Sequence, residues 1–279
     1  MKSFDSKVAA ITGAGSGIGR ALALELGRRS CHLALSDVNE GGLAETVAQV
    51  RALGVRVTSK KVDVANRDAV YAWADEVARD HGKVNLIFNN AGVAVGSTVE
   101  KMSYEDFEWL MNINFWGVVY GTKAFLPHLK ATGEGHIINI SSVFGLAGIP
   151  TQSAYNSAKF AVRGFTESLR QELDMLGYGV SASSVHPGGI KTAIARSSRM
   201  NESLQDLGLA VEGEDSRKKF EKALITSPDA AAKIIIEGVR RNQRRILVGP
   251  DARVYDWMVR LLPTAYQRVA VRYARFTAK

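Results

Sequence analysis

A chain of 279 residues, 46% hydrophobic and 23% charged, lies in the ordinary range of folded proteins, which excludes a disordered tail and allows one large α/β unit or two small domains. The net charge of +8 is not evenly spread: residues 217–279 carry 15 basic and 5 acidic side chains, +10, while the first 216 come to −2, which excludes a uniformly basic nucleic-acid binder. A single cysteine, Cys31, excludes an internal disulfide framework and a cysteine-based zinc site; with no cleavable leader pattern and no run of about 18 apolar residues, the expectation is a cytoplasmic protein.

In chain order, Val8 to Thr12, His32 to Ser36, Val55 to Val62 and Leu86 to Phe88 read as strands, separated by helices at Ile18–Arg29, Gly42–Leu53 and Ala69–His81. A long helical pattern from Tyr104 to about Lys130 follows, then a strand at His136–Ile140, a helix at Ala154–Leu176 and a strand at Val180–Val185. Short apolar runs between helices predict strands buried on both faces, hence a parallel sheet, and right-handed crossovers stack such units into a Rossmann-type doubly wound α/β fold. A polar, serine-rich stretch from Thr192 to Lys219 precedes a helix at Pro228–Arg241 and a short strand at Arg245–Val248. No linker or repeat divides the chain, so the expectation is a single domain over 1–250, with a substrate-lid insert at 192–227 and a basic amphipathic helical extension at 251–279.

Thr12 to Gly19, TGAGSGIG, falls where the first strand gives way to the first helix. Glycines there let the backbone turn tightly and approach a pyrophosphate, whose charge meets N–H groups and the positive end of the helix dipole. Gly13, Ser16, Gly17, Ile18 and Gly19 are therefore candidate cofactor contacts, although the spacing is not GxGxxG. Asp37 closes the second strand twenty residues after Gly17. A carboxylate there accepts hydrogen bonds from the adenosine ribose and repels a 2′-phosphate, favouring NAD over NADP. Arg20 faces the region where phosphates would lie, but no basic residue immediately follows Asp37 to receive an extra one.

Asn114 lies in the long helical pattern, Ser141-Ser142 follow the strand HIINI, and Tyr155 and Lys159 stand four apart at the start of a helix. That spacing puts phenol and ammonium on one helix face, where the charge favours the phenolate and lowers its pKa from about 10. Tyr155 then becomes a candidate proton donor and acceptor. With TGAGSGIG and Asn89-Asn90-Ala91-Gly92, these residues resemble the TGxxxGIG, NNAG and YxxxK motifs of the classical short-chain dehydrogenases/reductases, over about Lys7 to Thr192 and more loosely to Val248.

The resemblance implies a catalytic tetrad of Asn114, Ser142, Tyr155 and Lys159, with Ser142 preferred to Ser141 because the family's serine stands thirteen residues before its tyrosine. It implies that Asp63 and Val64 border the adenine and that Asn90, Ala91 and Gly92 border the cofactor. Pro187-Gly188-Gly189-Ile190-Lys191-Thr192 resembles the family's PGxxxT, in which Ile190 and Thr192 hold the nicotinamide carboxamide. The implied activity is reversible hydride transfer between NAD(H) and a secondary alcohol or ketone. In it Tyr155 moves the proton, Ser142 binds the substrate oxygen, Lys159 lowers the tyrosine pKa and binds the nicotinamide ribose, and Asn114 positions a water linking Lys159 to solvent. A homodimer or homotetramer is the implied assembly. Alternatives are an NADPH-dependent ketoacyl- or sterol-type carbonyl reductase and a non-catalytic dinucleotide-binding sensor or scaffold; the complete tetrad argues against the sensor.

Substrate walls are expected from Val93 to Ser97, Val143 to Pro150 and the insert. Val95, Val143, Phe144, Leu146 and Ile149 are apolar and no Arg or Lys adjoins Ser142 or Tyr155, which favours a hydrophobic substrate. Arg196, Arg199, Glu212, Glu214 and Asp215 mark the insert as a candidate lid. His32, His81, His128 and His136 lack metal-ligand spacing, so no metal is expected, and His186 reads as a strand-end residue whose backbone matters. Trp73 and Trp109 fall within helical patterns and read as core or interface. At the basic end, Val254, Trp257, Met258, Leu261 and Leu262 form an amphipathic stripe, and after Pro263 Tyr266, Val269, Ala270 and Tyr273 form a second, with Arg268, Arg272 and Arg275 opposite. Two expectations stand: a helix packed on its own domain or across a dimer interface, or a peripheral contact with an anionic membrane. Nucleic acid is not expected, for want of an interleaved aromatic platform.

Overall fold

A computed structural model describes residues 1–192, 194, 198–207 and 224–277. The apolar runs become β1 (Val8–Thr12), β2 (His32–Asp37), β3 (Val57–Lys61), β4 (Leu86–Asn89), β5 (Val95–Gly96), β6 (Gly135–Ile140), β7 (Val180–Pro187), β8 (Arg199–Met200) and β9 (Arg245–Val248). Seven of them form one parallel sheet in the order β3-β2-β1-β4-β6-β7-β9, while β5 and β8 pair separately. Between them run α1 (Gly17–Gly27), α2 (Glu40–Arg51), α3 (Arg67–His81), α4 (Tyr104–Met111), α5 (Gly117–Ala131), α6 (Ser153–Leu176), α7 (Pro228–Arg240), α8 (Pro250–Leu261) and α9 (Tyr266–Thr277).

Strand periodicity sends alternate residues to opposite faces. Ala9 and Ile11 join Leu22, Leu26, Ile235 and Val239 on the side of α1 and α7. Val8 and Ala10 join Val70, Trp73, Phe125 and Leu129 on the side of α3 and α5, where Trp73 meets Phe125 edge-on at 5.1 Å. Burial on both faces is the Rossmann-type arrangement expected. The chain passes from β1 through β2 to β3 on one side and then crosses back to β4 on the other side of β1, so a crevice opens at the carboxyl ends of β1 and β4. Cys31 is buried in the first cluster, and that burial pushes its thiol up to about 12.

Two differences from the periodicity have local causes. Helices α2 and α3 begin two residues before the apolar pattern does, because the Asn39 and Asn66 side chains cap them by accepting from Gly42 N and Ala69 N. The long helical pattern divides into α4 and α5 around a π-helical turn at Asn112–Trp116, which carries Asn114.

Arg196, Glu212, Glu214 and Asp215 of the expected lid lie outside the described residues. The described part of the insert is anchored: β8 adds to β5, Arg199 pairs with Asp106 and lies 3.6 Å from the Trp109 ring centroid, and Thr226 bridges Ile190. Helix α8 docks by an unexpected face. Ala252 and Asp256 are buried, Asp256 accepts from Arg245 and Arg260, and the stripe Val254, Trp257, Leu261 and Leu262 is exposed. In α9 Tyr266 is buried while Val269, Arg268, Arg272 and Arg275 are exposed; the Tyr273 side chain lies outside the described set. No helix among the described residues is long and apolar enough to cross a membrane.

Candidate active site

The glycine turn leaves β1 at Thr12 and enters α1 at Gly17. Ser16 stands at the N-cap in an extended conformation, and its hydroxyl makes no cap bond, leaving the helix end open to an anion. A side chain at position 19 has no room, since a Cβ there would lie 2.1 Å from Gly13 O. The turn is braced from the β4 end. Asn90 Nδ2 donates to Thr12 O and Gly13 O at 2.9 and 3.1 Å, and the Asn90 and Ala91 N–H groups donate to Thr12 Oγ1.

Asp37, at the end of β2, accepts from Gly15 N at 2.8 Å and from Asn39 N at 2.9 Å, so the carboxylate is fixed against the turn. Arg20, expected to face the phosphate region, is committed elsewhere: it donates to Gly15 O, Gly42 O, Thr46 and Glu45 and thereby clasps α1 to α2. Beyond β3, Asp63 is exposed and accepts from Ala65 N, while Val64 is buried against Gly117. After β7, Thr192 reaches back over Gly17, its Cγ2 3.1 Å from where a side chain there would begin. Ile190 is buried.

The catalytic candidates come from three places in the fold: the π-helical turn, the end of β6 and the first turns of α6. Asn114 is fully buried and holds the Val93 peptide at both ends: its Oδ1 accepts from Val93 N and its Nδ2 donates to Val93 O, each at 2.8 Å. Gly92 lies between it and Lys159; a Cβ on Gly92 would be 3.2 Å from Asn114 Oδ1 and 3.7 Å from Lys159 Nζ. The two serines after β6 part ways. Ser141 donates to the backbone oxygen of Lys159 at 2.8 Å, whereas Ser142 accepts from Phe144 N and hydrogen-bonds Tyr155. Asn114, Ser142, Tyr155 and Lys159 thus gather at the carboxyl edge of the sheet.

Burial pushes the Tyr155 phenol up to about 12 against the downward pull of its Ser142 hydrogen bond, and pushes the Lys159 amine down to about 8. The expected lowering of the phenol below 10 is not found. Lys159 Nζ donates to Ile140 O at 3.0 Å and stands 5.5 Å from the Tyr155 ring centroid, and desolvation outweighs it.

Several residues that hold this site carry no local motif. Asp251 at the start of α8 accepts from Gly189 N at 2.5 Å, and its carboxylate would sit 2.1 Å from a Cβ at position 188, so Gly188 makes room for Asp251. Asn156, beside Tyr155, accepts from Ile149 N and donates to Phe144 O and Ala147 O, fixing the loop over 144–149. Tyr266 Oη accepts from Gly148 N at 3.0 Å. Of the expected wall, Val95, Val143 and Leu146 are buried in packing, which leaves Phe144 and Ile149 partly exposed, with Met200 exposed nearby.

His186 does more than contribute backbone. Its buried ring bridges the Ser142 carbonyl at 2.9 Å and Ser184 Oγ at 3.0 Å, and so positions the Ser142 backbone. Burial pushes His186 down to about 4, and the equally buried His136 down to about 3. Both folded-state values lie below the unfolded one, near 6.5, so unfolding takes up protons as the pH falls through that range and stability is lost. Moving from pH 7 to pH 5 is expected to cost about 4 kcal/mol by guanidinium titration. An unchanged midpoint would contradict neutral burial of the two rings.

The sequence profile of the short chain dehydrogenase family matches residues 7–203. The chain is 50% identical to the oxidoreductase SadH of Mycobacterium tuberculosis, over 99% of this chain and 98% of that protein. It is 31% identical to 17-beta-hydroxysteroid dehydrogenase 13 of Homo sapiens, over 94% and 81%. Among solved structures, a short-chain dehydrogenase/reductase from Burkholderia phymatum in complex with NAD superimposes with a TM-score of 0.84 at 34% identity, over 96% of each chain. The parallel sheet, the turn at its switch point and these matches together establish that the chain is an oxidoreductase belonging to the short-chain dehydrogenase/reductase family.

Proposed function

We propose that the protein interconverts hydrophobic secondary alcohols and ketones with NAD(H), using Tyr155 to move the proton. The observation that carries this is the Ser142 hydroxyl against the Tyr155 phenol, one helical turn from the buried Lys159. The residues present suit a dinucleotide: a helix end left open by Ser16, a backbone with no space for a side chain at Gly19, and a carboxylate fixed at the end of β2. Gly13, Ser16, Gly17, Ile18 and Gly19 would hold the pyrophosphate, Asp37 the adenosine ribose, and Asp63 and Val64 the adenine. Asn90, Ala91, Gly92, Pro187, Gly188, Ile190 and Thr192 would border the nicotinamide half, with Lys159 on its ribose. NAD is favoured over NADP because Asp37 would oppose a 2′-phosphate, exposed Val38 follows it, and Arg20 is engaged in its clasp.

When bound, the dinucleotide supplies the hydride acceptor or donor that no side chain can provide. Ser142 donates a hydrogen bond to the substrate oxygen, where charge develops. Tyr155 takes the hydroxyl proton in oxidation and returns it in reduction, and Lys159 favours the phenolate. Asn114, through its clasp on Val93, keeps the wall beside Lys159 in place. Phe144, Ile149 and Met200 favour an apolar substrate, and the nearby Arg199 is held by Asp106 and Trp109. A hydroxysteroid dehydrogenase among the relatives accords with a bulky alcohol.

The test is a panel of secondary alcohols and ketones assayed with both cofactors by nicotinamide absorbance. Turnover of apolar members with NAD(H) is expected; activity restricted to NADPH, or to carboxylate-bearing substrates, would overturn the proposal. Oxidation needs the phenolate and the phenol is held high, so oxidative kcat/KM should climb from neutral to alkaline pH, by up to about tenfold per unit, while reduction does not. A flat oxidative profile, with chemistry rate-limiting, would remove Tyr155 as the base.

A further inference from the structure

Helix α8, the last but one, is turned around relative to the usual amphipathic arrangement. It meets the domain through Ala252 and Asp256 and presents Val254, Trp257 and Leu261 to solvent at 65%, 64% and 69% exposure. Its two acidic side chains both point inward, Asp251 to Gly189 N and Asp256 to Arg245 and Arg260, so they do not offset charge on the outer side. Arg253 on α8 and Arg268, Arg272 and Arg275 on α9 are exposed. The result is an apolar stripe with exposed arginines on the same two helices, on a segment, residues 250–279, that carries six basic and two acidic side chains.

We propose that the outer face of α8 and α9 docks on an anionic lipid surface. Charge decides the occupant: a second copy of the same face would bring arginines against arginines, whereas an anionic headgroup layer complements them and leaves the acyl boundary for Trp257 and Leu261. Each helix has 12 residues, short of the roughly 20 needed to cross a bilayer, so the segment lies along the surface. Tyr266 ties the same segment to Gly148 in the substrate loop, which sets the docking face beside the entrance for an apolar substrate. The docking itself does not depend on the proposed hydride chemistry.

The test uses the full chain and vesicles of phosphatidylcholine alone or mixed with phosphatidylserine. Wild-type protein is expected to co-sediment with the anionic vesicles, to be released by raised salt, and to ignore the neutral ones. Arg268→Ser and Arg272→Ser should each weaken binding about fivefold, and Trp257→Ser with Leu261→Ser should remove it, with the thermal midpoint unchanged in every variant. No binding of the wild type to anionic vesicles, or binding indifferent to all four substitutions, would overturn the proposal. So would a dimer in sedimentation velocity that is lost with Trp257→Ser, since the face would then belong to a second copy.

Discussion

Tyr155→Phe is expected to lower turnover by about 10²- to 10⁴-fold, the range that a positioned general acid or base contributes. The substitution removes one oxygen and keeps the ring that packs edge-on against Phe144 at 6.1 Å. The Ser142 side chain also accepts from Phe144 N, so the loop around it retains a partner after the phenol oxygen is gone. NADH affinity, followed by fluorescence, and the thermal midpoint should therefore remain near wild type. Turnover within about threefold of wild type would assign proton transfer to another group.

Asp37→Ala should weaken NADH in kcat/KM by about ten- to a hundredfold, the equivalent of losing one or two charge-assisted hydrogen bonds. The same change should raise the NADPH to NADH ratio, because the carboxylate that would repel a 2′-phosphate is gone. The turn itself loses the acceptor for Gly15 N and Asn39 N, so Asp37→Asn is the companion variant. Asn keeps one acceptor oxygen without the charge, and it should shift the cofactor ratio while preserving more of the NADH affinity. A wild-type enzyme that already prefers NADPH would contradict the role given to Asp37.

The strand and helix order was legible because each element leaves a short-range mark: β-branched runs for the buried strands and 3.6-residue periodicity for α3 and α6. Helix starts were less so, since Asn39 and Asn66 cap from outside the apolar pattern. The π turn around Asn114 has no glycine or proline to announce it; what it accomplishes is contact with Val93, twenty-one residues away. The candidate site residues were approachable through their motifs, yet the division of labour between Ser141 and Ser142 is a tertiary matter, decided by which hydroxyl meets the Lys159 backbone. The phenol pKa was misjudged because helical spacing reports the distance to a charge and says nothing of desolvation. Asp251, Asn156, His186 and Tyr266 act through single hydrogen bonds between distant segments, and no periodicity records those.

Asp251 and Tyr266 latch the two loops that flank the proposed substrate space, and both belong to the last thirty residues of the chain. During synthesis, which proceeds from the N-terminus, the glycine turn and the sheet strands up to β7 leave the ribosome well before either latch does, whereas the edge strand β9 comes only just ahead of Asp251. The nascent protein therefore orders the glycine turn before the loops at Gly148 and Gly189 gain the partners that fix them. A prematurely stopped chain would be a different molecule from a shortened enzyme: the sheet core would be assembled, with Gly148 and Gly189 each missing the partner that fixes its loop.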